Sequence, residues 1–243
     1  PLVKGRTSLA VTADARLTDT ARTVRAQTSE GALSQLADSS TDRVDLSARL
    51  EHSWGRTHTL QAEFESLSRT EEGLGIGGLD LPERGLTQDR QEFVARFADN
   101  GVIFGRVASE QRFRFRSESV DFTSASSSPA VRVMGAFNAG GAGVAGGRRS
   151  RDFEWASNFD LSVGKKHALR GGLLVRDLEV TSDERRNYAG TYTFADLAGY
   201  EARVGAALRR AREEDVLAPE WAFLFGSFSD YVRNEKFNSP YAL

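Results

Sequence analysis

The chain has no cysteine, which removes disulfides, thiolate metal sites and cysteine nucleophiles. Its 243 residues contain only five prolines and one methionine. No apolar run approaches the ~20 residues of a membrane-spanning helix. There is no strong charge of either sign: 32 basic and 34 acidic residues leave a net charge of -2. No general positive field is therefore available, and nucleic acid is not an expected partner. The start, PLVKGRTSLAV, carries no charged-then-apolar leader, and the chain reads as a stretch of a longer one. A membrane β-barrel survives all of these exclusions, because its strands need apolar residues only at alternate positions.

Alternation is what the chain has instead. From Arg151 to Leu178 two runs of period-two character flank Gly164-Lys165-Lys166. Phe153, Trp155, Phe159, Leu161 and Val163 share one face of the first run, and Leu169, Leu173 and Val175 share one face of the second. Such a pattern predicts an antiparallel hairpin with one apolar and one polar side. A three-residue loop sets Val163 opposite His167, Leu161 opposite Leu169, Phe159 opposite Gly171 and Trp155 opposite Val175. On the polar side the same register brings Asp160 to Arg170 and Glu154 to Arg176, two opposite-charge pairs from one alignment.

The rest of the chain repeats the pattern. Strands are predicted over 6–16, 43–53, 57–67, 90–98, 102–116 and 221–228, beside the central pair. Turns are expected at 54–56, at Asp99-Asn100-Gly101 and at 164–166. Long polar or Gly/Ser-rich connections are expected at 17–41, 68–89, 117–150 and 179–219. Short and long connections alternate strictly, so the short ones fall at one end of the sheet and the long ones at the other. That asymmetry is the pattern of an outer-membrane barrel. The expected fold is all-β, an antiparallel up-and-down meander of about seven or eight strands forming part of a transmembrane outer-membrane β-barrel. Glu154, Asp160, Arg170 and Arg176 are then candidate lumen-facing charges.

Catalytic and metal readings fail on context. Gly73-Leu74-Gly75-Ile76-Gly77-Gly78 satisfies G-x-G-x-x-G, yet a proline-containing LDLPERG follows where a dinucleotide site needs a helix. His52 and His58 are expected to face each other across the 54–56 turn, but two imidazoles without a third ligand do not make a metal centre. With His167 they read as interfacial residues. Glu63, Glu65, Glu71 and Glu72 have no nucleophile beside them, and serines 124–128 lack a nucleophile-elbow context. No cofactor, metal or enzymatic activity is expected.

Four stretches carry a resemblance to a known family: Gly75-Ile-Gly-Gly-Leu-Asp-Leu-Pro-Glu-Arg-Gly85, the run from Ser128 to Ala142 (SPAVRVMGAFNAGGA), His167-Ala-Leu-Arg-Gly-Gly172, and the run from Ser182 to Tyr200 (SDERRNYAGTYTFADLAGY). In order and spacing the chain resembles TonB-dependent outer-membrane receptors, most of all the Oar-like branch, whose members carry a carboxypeptidase-regulatory-like domain ahead of the plug. The resemblance spans roughly residues 40–200. It implies residence in the outer membrane, contact with lipid, a plug domain and TonB as partners of the full-length protein, and an unidentified ligand held by extracellular loops. Residues 1–199 correspond to a partial receptor barrel. Residues 200–219 (EARVGAALRRAREEDVLAP after Tyr200) depart from the family as an Ala/Arg-rich, helix-like connection, and 220–243 read as a further strand and a truncated end. The competing expectations are a structural or adhesive outer-membrane barrel without transport, and a soluble β-rich binding module.

Overall fold

Backbone ladders, not a buried core, organise this chain. The computed structural model describes residues 6–164 and 166–213. Strands β1 (Thr7–Thr28), β2 (Gly31–Trp54), β3 (His58–Leu74), β4 (Leu86–Ile103) and β5 (Val107–Ser124) pair in sequence order, each antiparallel to the last. Two short strands follow, β6 (Ala130–Val133) and β7 (Phe137–Ala139). Strand β8 (Val144–Val163) then returns to pair with β5, and β9 (His167–Ser182) pairs with β8. Strand β10 (Arg185–Arg186) adds two residues to the far end of the same β8 edge. Strand β11 (Thr191–Phe194) lies parallel to β6, and the helix α1 (Leu197–Glu213) follows. Seven long strands thus make one antiparallel up-and-down meander, while β6, β7 and β11 form a small separate sheet.

The central hairpin has the register derived from its alternation. Val163 lies across from His167, Leu161 from Leu169, Phe159 from Gly171, Trp155 from Val175, Asp160 from Arg170 and Glu154 from Arg176. Elsewhere the faces hold and the partners move. The first short turn occupies 55–57, so Leu50 meets Ala62 and Ala48 meets Phe64, two residues away from the expected pairing. Asp99-Asn100-Gly101 is not a turn but part of β4; the chain reverses at Phe104-Gly105-Arg106, and Phe97 meets Phe113. Two consecutive residues are left-handed there, Phe104 with φ 53 and Gly105 with φ 72, of which only the glycine adopts it without strain. Gly101 serves packing instead. It lies opposite His58, and a Cβ at that position would fall 2.2 Å from the imidazole Nδ1.

The expected loop over 17–41 is strand for almost its whole length. β1 and β2 pair continuously from Thr7–His52 up to Thr28–Gly31, joined by Ser29-Glu30. These residues show no long apolar alternation because the upper hairpin buries only a short patch, Val24, Ala26, Leu33 and Ala37, against the loops. The connections at that end that are long are 75–85, 125–143 and the segment after Ser182, and all three are shorter in irregular backbone than expected. They contain a 3-10 helix at Pro82–Arg84, the small sheet, and α1. The carboxylate of Asp196 accepts the Gly199 N–H at 2.7 Å, capping α1 at its start. The further strand expected at 221–228 lies outside the described residues.

The buried cluster sits at this long-connection end. Val24, Ala26 and Ala37 from the upper β1–β2 hairpin meet Ile76, Val131, Val133, Ala136 and Phe137. Phe194, Leu197 and Tyr200 close over it, with Tyr200 edge-on to Phe137 at 5.2 Å and to Phe194 at 5.3 Å.

The β4–β5 register is directly testable. Cysteines replacing Phe97 and Phe113 should cross-link in the folded full-length protein, and cysteines replacing Phe97 and Ile103 should not. Linkage of the second pair alone would restore a turn at 99–101.

Candidate functional site

The meander has two faces of opposite chemistry. One carries Leu9, Val11, Val44, Leu46, Leu50, Phe64, Phe97, Phe113, Trp155, Phe159, Leu169, Leu173 and Val175, all exposed. No layer of described residues covers it. The other carries arginine and carboxylate side chains from every strand of the sheet. An apolar sheet face of this extent marks a surface built to meet something other than water.

The apolar area is a band with defined borders, crossed in β4, β5 and β8 by a polar row of Asp99, Gln111 and Ser157. Towards the long-connection end it stops at Leu17, Val44, Phe64, Phe93, Phe115, Phe153 and Val175, and the next residue on that face is Asp19, Asp42, Ser66, Gln91, Ser117, Arg151 and Asp177 respectively. Four phenylalanines in adjacent strands line this border. Phe64 and Phe93 meet edge-on at 4.9 Å, Phe93 and Phe115 at 6.1 Å, and Phe153 meets Phe113 at 4.9 Å. At the short-turn end Trp54 (68% exposed) and Phe104 (89% exposed) stand on two successive hairpins.

The border crosses the strands obliquely. The ladder carries Leu17 through Asp42, Thr70, Asp89 and Asp121 to Gly147, which accepts the Asp183 N–H. On β9, however, the border lies at Val175, eight residues below Asp183, after six strand steps. With ~3.3 Å per residue and ~4.8 Å between strands, the strands lean by about 40° from the normal to the band. The short turns step in the same direction. His58 is level with Gly101 while β4 runs on to Ile103, and Val107 is level with Leu161 while β8 runs on to Val163. That is one residue per strand, a lean of about 35°. Along β2 the band runs from Val44 to Trp54, and along β8 from Phe153 to Val163. Each run is ~33 Å of strand, or ~25 Å of height after the tilt.

On the charged face the four sequence-predicted residues part company. Asp160 accepts from Arg170 at 2.5 Å across the open hairpin. Glu154 faces Arg176 in register, but Arg176 turns to Asp152 at 3.1 Å, and Glu154 comes within 3.8 Å of Arg114. Asp152 also accepts from Arg114 at 2.8 Å, so it ties β5 and β9 together through β8. The arginines around it, not packed protein, shield it to 8% exposure. Sequence reasoning missed this residue because it searched only directly opposed pairs, and these bonds run diagonally.

The same diagonal rule organises the neighbouring strands. Glu92 and Glu118 face each other directly, a repulsive arrangement by itself. Arg90 reaches both carboxylates, at 3.0 and 2.9 Å, and Arg116 reaches both at 2.8 and 3.1 Å. Glu63, by contrast, lies directly opposite both Arg49 and Arg96 and bridges them at 3.4 and 3.7 Å. Each solvated pair contributes only ~0–1 kcal/mol, so the arrangement gives an electrically balanced surface more than stability.

The other candidates separate. His52 lies across from Leu60 and bonds Thr7 at 2.8 Å, while His58 bonds Asp99 at 3.1 Å. The two imidazoles form no joint site, and no metal-holding cluster occurs among the described residues. The Gly73–Gly78 stretch leads only to a three-residue 3-10 helix. Gly78 instead pairs with β1, its carbonyl accepting from the Arg25 N–H at 2.7 Å and its N–H donating to Thr23 at 3.0 Å. Near the core, burial raises the Tyr200 hydroxyl above the usual tyrosine range. No helix among the described residues is long and apolar enough to cross a membrane, which says nothing of a β-barrel.

No protein-family model matches the chain, and neither does any curated protein or solved structure.

Asp152→Asn should lower the unfolding midpoint in urea clearly more than Glu154→Gln, since only Asp152 has two arginines hydrogen-bonded to it. Equal losses would remove Asp152 as the junction of three strands.

Proposed function

We propose that this chain is a piece of the wall of a TonB-dependent outer-membrane receptor, whose apolar band faces lipid and whose charged face lines the lumen. One observation carries the membrane part of the reading. An uncovered apolar band ~25 Å tall, edged by aromatic rings and crossed by strands leaning ~35–40°, has the dimensions of an outer-membrane barrel surface. A second sheet packed on this face, as in a soluble sandwich, requires neither a polar border keeping step across seven strands nor that lean. The receptor part rests on the resemblance of the stretches at 75–85, 128–142, 167–172 and 182–200 to that family.

On this reading the short turns at 55–57, 104–106 and 164–166 lie on the periplasmic side. The β1–β2 prong, the 3-10 helix, the small sheet and α1 stand outside the cell, where receptor ligands are captured. The balanced charges of the inner face present no net barrier to a plug or a passing solute. The full-length protein supplies the plug and the TonB contact. A barrel that served only adhesion would keep the topology and lack energised uptake, so uptake with and without TonB separates the two.

Neighbouring leucines on β9 give the sharpest test. Leu173 is on the apolar face at 53% exposure, and Leu174 is on the charged face at 64%. Arginine at a lipid-facing midplane position costs ~2–4 kcal/mol, while the lumen tolerates it. Leu173→Arg should therefore sharply reduce the heat-modifiable folded band of the full-length barrel, and Leu174→Arg should leave it nearly intact. Equal tolerance of both would sink the membrane assignment.

Topology has its own test. Cysteines replacing Ser29 or Met134 should react with an impermeant thiol reagent on intact cells. A cysteine replacing Arg56 or Gly105 should react only after the outer membrane is opened. The opposite pattern would invert the barrel.

A further inference from the structure

The small sheet has two faces, and the core uses only one. Val131, Val133 and Phe137 belong to the buried cluster. Arg132 alternates away from them, exposed, and lies opposite Asn138 of β7. That outer face joins Arg84 from the 3-10 helix and Arg186 from β10 around a cavity of about 230 Å³. Asn187 and Thr191 complete its polar lining, and no lining residue is acidic.

The three guanidinium groups are not equally engaged. Arg84 lies 3.7 Å from Asp80 and donates to the Gly141 carbonyl, and its Nε is buried without a hydrogen-bond partner. Arg186 holds Glu184 at 2.7 Å. Arg132 has neither an ion pair nor a hydrogen bond among the described residues. The carboxylates that restrain Arg84 and Arg186 stand outside the lining, so the space itself is bounded by positive charge, neutral polar groups and small apolar residues such as Ala130, Ala142 and Val144.

We propose that this cavity binds the anionic group of a small solute, a carboxylate or a phosphate. Arg132 is the primary fork, Arg84 and Arg186 stand beside it, and Asn138, Asn187 and Thr191 meet the ligand's hydroxyl or amide groups. A planar guanidinium with free donors matches both oxyanions in bidentate geometry. The volume corresponds to roughly seven or eight water molecules, enough for a head group or a short polycarboxylate and too little for a large ligand as a whole. The walls come from three separate connections that meet at one core, so the backbone around the cavity is set before a ligand arrives, which limits the ordering cost of binding. The physiological role, capture from outside the cell, rests on the receptor reading; the binding itself does not.

The test is calorimetric titration of the full-length protein, folded in detergent, with inorganic phosphate and separately with citrate. At least one should bind saturably, and which one does distinguishes a phosphate from a carboxylate ligand. Arg132→Gln, an exposed position whose replacement leaves the core untouched, should weaken that binding roughly ten-fold or more. Arg106→Gln, at a short turn on the opposite end, should not change it. Absence of binding by both anions, or equal binding by the parent and Arg132→Gln, overturns the site. If the Leu173/Leu174 contrast fails while Arg132-dependent binding persists, the membrane reading falls and the site stands. The converse result removes the site alone.

Discussion

A single-layer sheet cannot leave a whole apolar face in water and be the finished structure. Interstrand hydrogen bonds satisfy the backbone of the five inner long strands, but they do nothing for Leu46, Phe64, Phe97, Trp155 and Leu173, which stand exposed on one face. Burying such side chains contributes ~1.5–3 kcal/mol each, so whatever covers the band contributes much of the stability of the assembled protein. Every other feature of the wall follows from that requirement. The opposite face must stay wet, and its charges must balance across strands. The band has a marked upper end, at Phe64, Phe93, Phe115 and Phe153 in adjacent strands.

The faces of the sheet were legible in the sequence, while the partners were legible only in part. Period-two alternation fixes the parity of each residue and hence its face. A register error of an even number of residues leaves every face unchanged. This is why Phe93, Ala95 and Phe97 share the apolar side with Phe113 and Phe115 although the β4–β5 turn lies at Phe104-Gly105-Arg106 and not at 99–101. Asn100-Gly101 misled because a glycine needed for clearance looks the same, in one sequence, as a glycine needed for a turn. Only the imidazole of His58 standing opposite reveals its purpose. The central hairpin was readable to the residue because its loop length, apolar face and charge pairs all demanded one alignment.

The upper halves of β1 and β2 were illegible for a different reason. Above Leu17 and Val44 the apolar band ends and its alternation with it, while the ladder continues for another eleven pairs to Thr28–Gly31. Strand formation there depends on hydrogen bonding and a two-residue turn. The periodic traces are Val24 and Ala26 with Leu33 and Ala37 beside them, buried against loops distant in sequence. The candidate anion site was equally hidden. Arg84, Arg132 and Arg186 belong to three connections, and nothing in their spacing announces that one core gathers them. Of the charged face, the sequence showed the direct pair Asp160–Arg170 and not the diagonal junction at Asp152.

The lean of the strands links the two ends of the molecule. In a sheet whose strands stood upright, the short turns would be level and the band would follow the ladder. Here both drift by about one residue per strand, in the same sense, although one border is set by aromatic side chains and the other by turn positions. Two independent borders that keep step describe a slab of constant thickness cut obliquely through the sheet. The edges fit the same picture. β9 pairs on one side only among the described residues and is exposed along both faces, while the outer edge of β1 is met only near its top, by Gly78 and Ala136. The 16-residue edge of β9 and the edge of β1 below Thr23 are a standing invitation to further strands. On the barrel reading they are the seams at which the rest of the wall joins. The lean then sets how those strands must be staggered for the wall to close around its lumen.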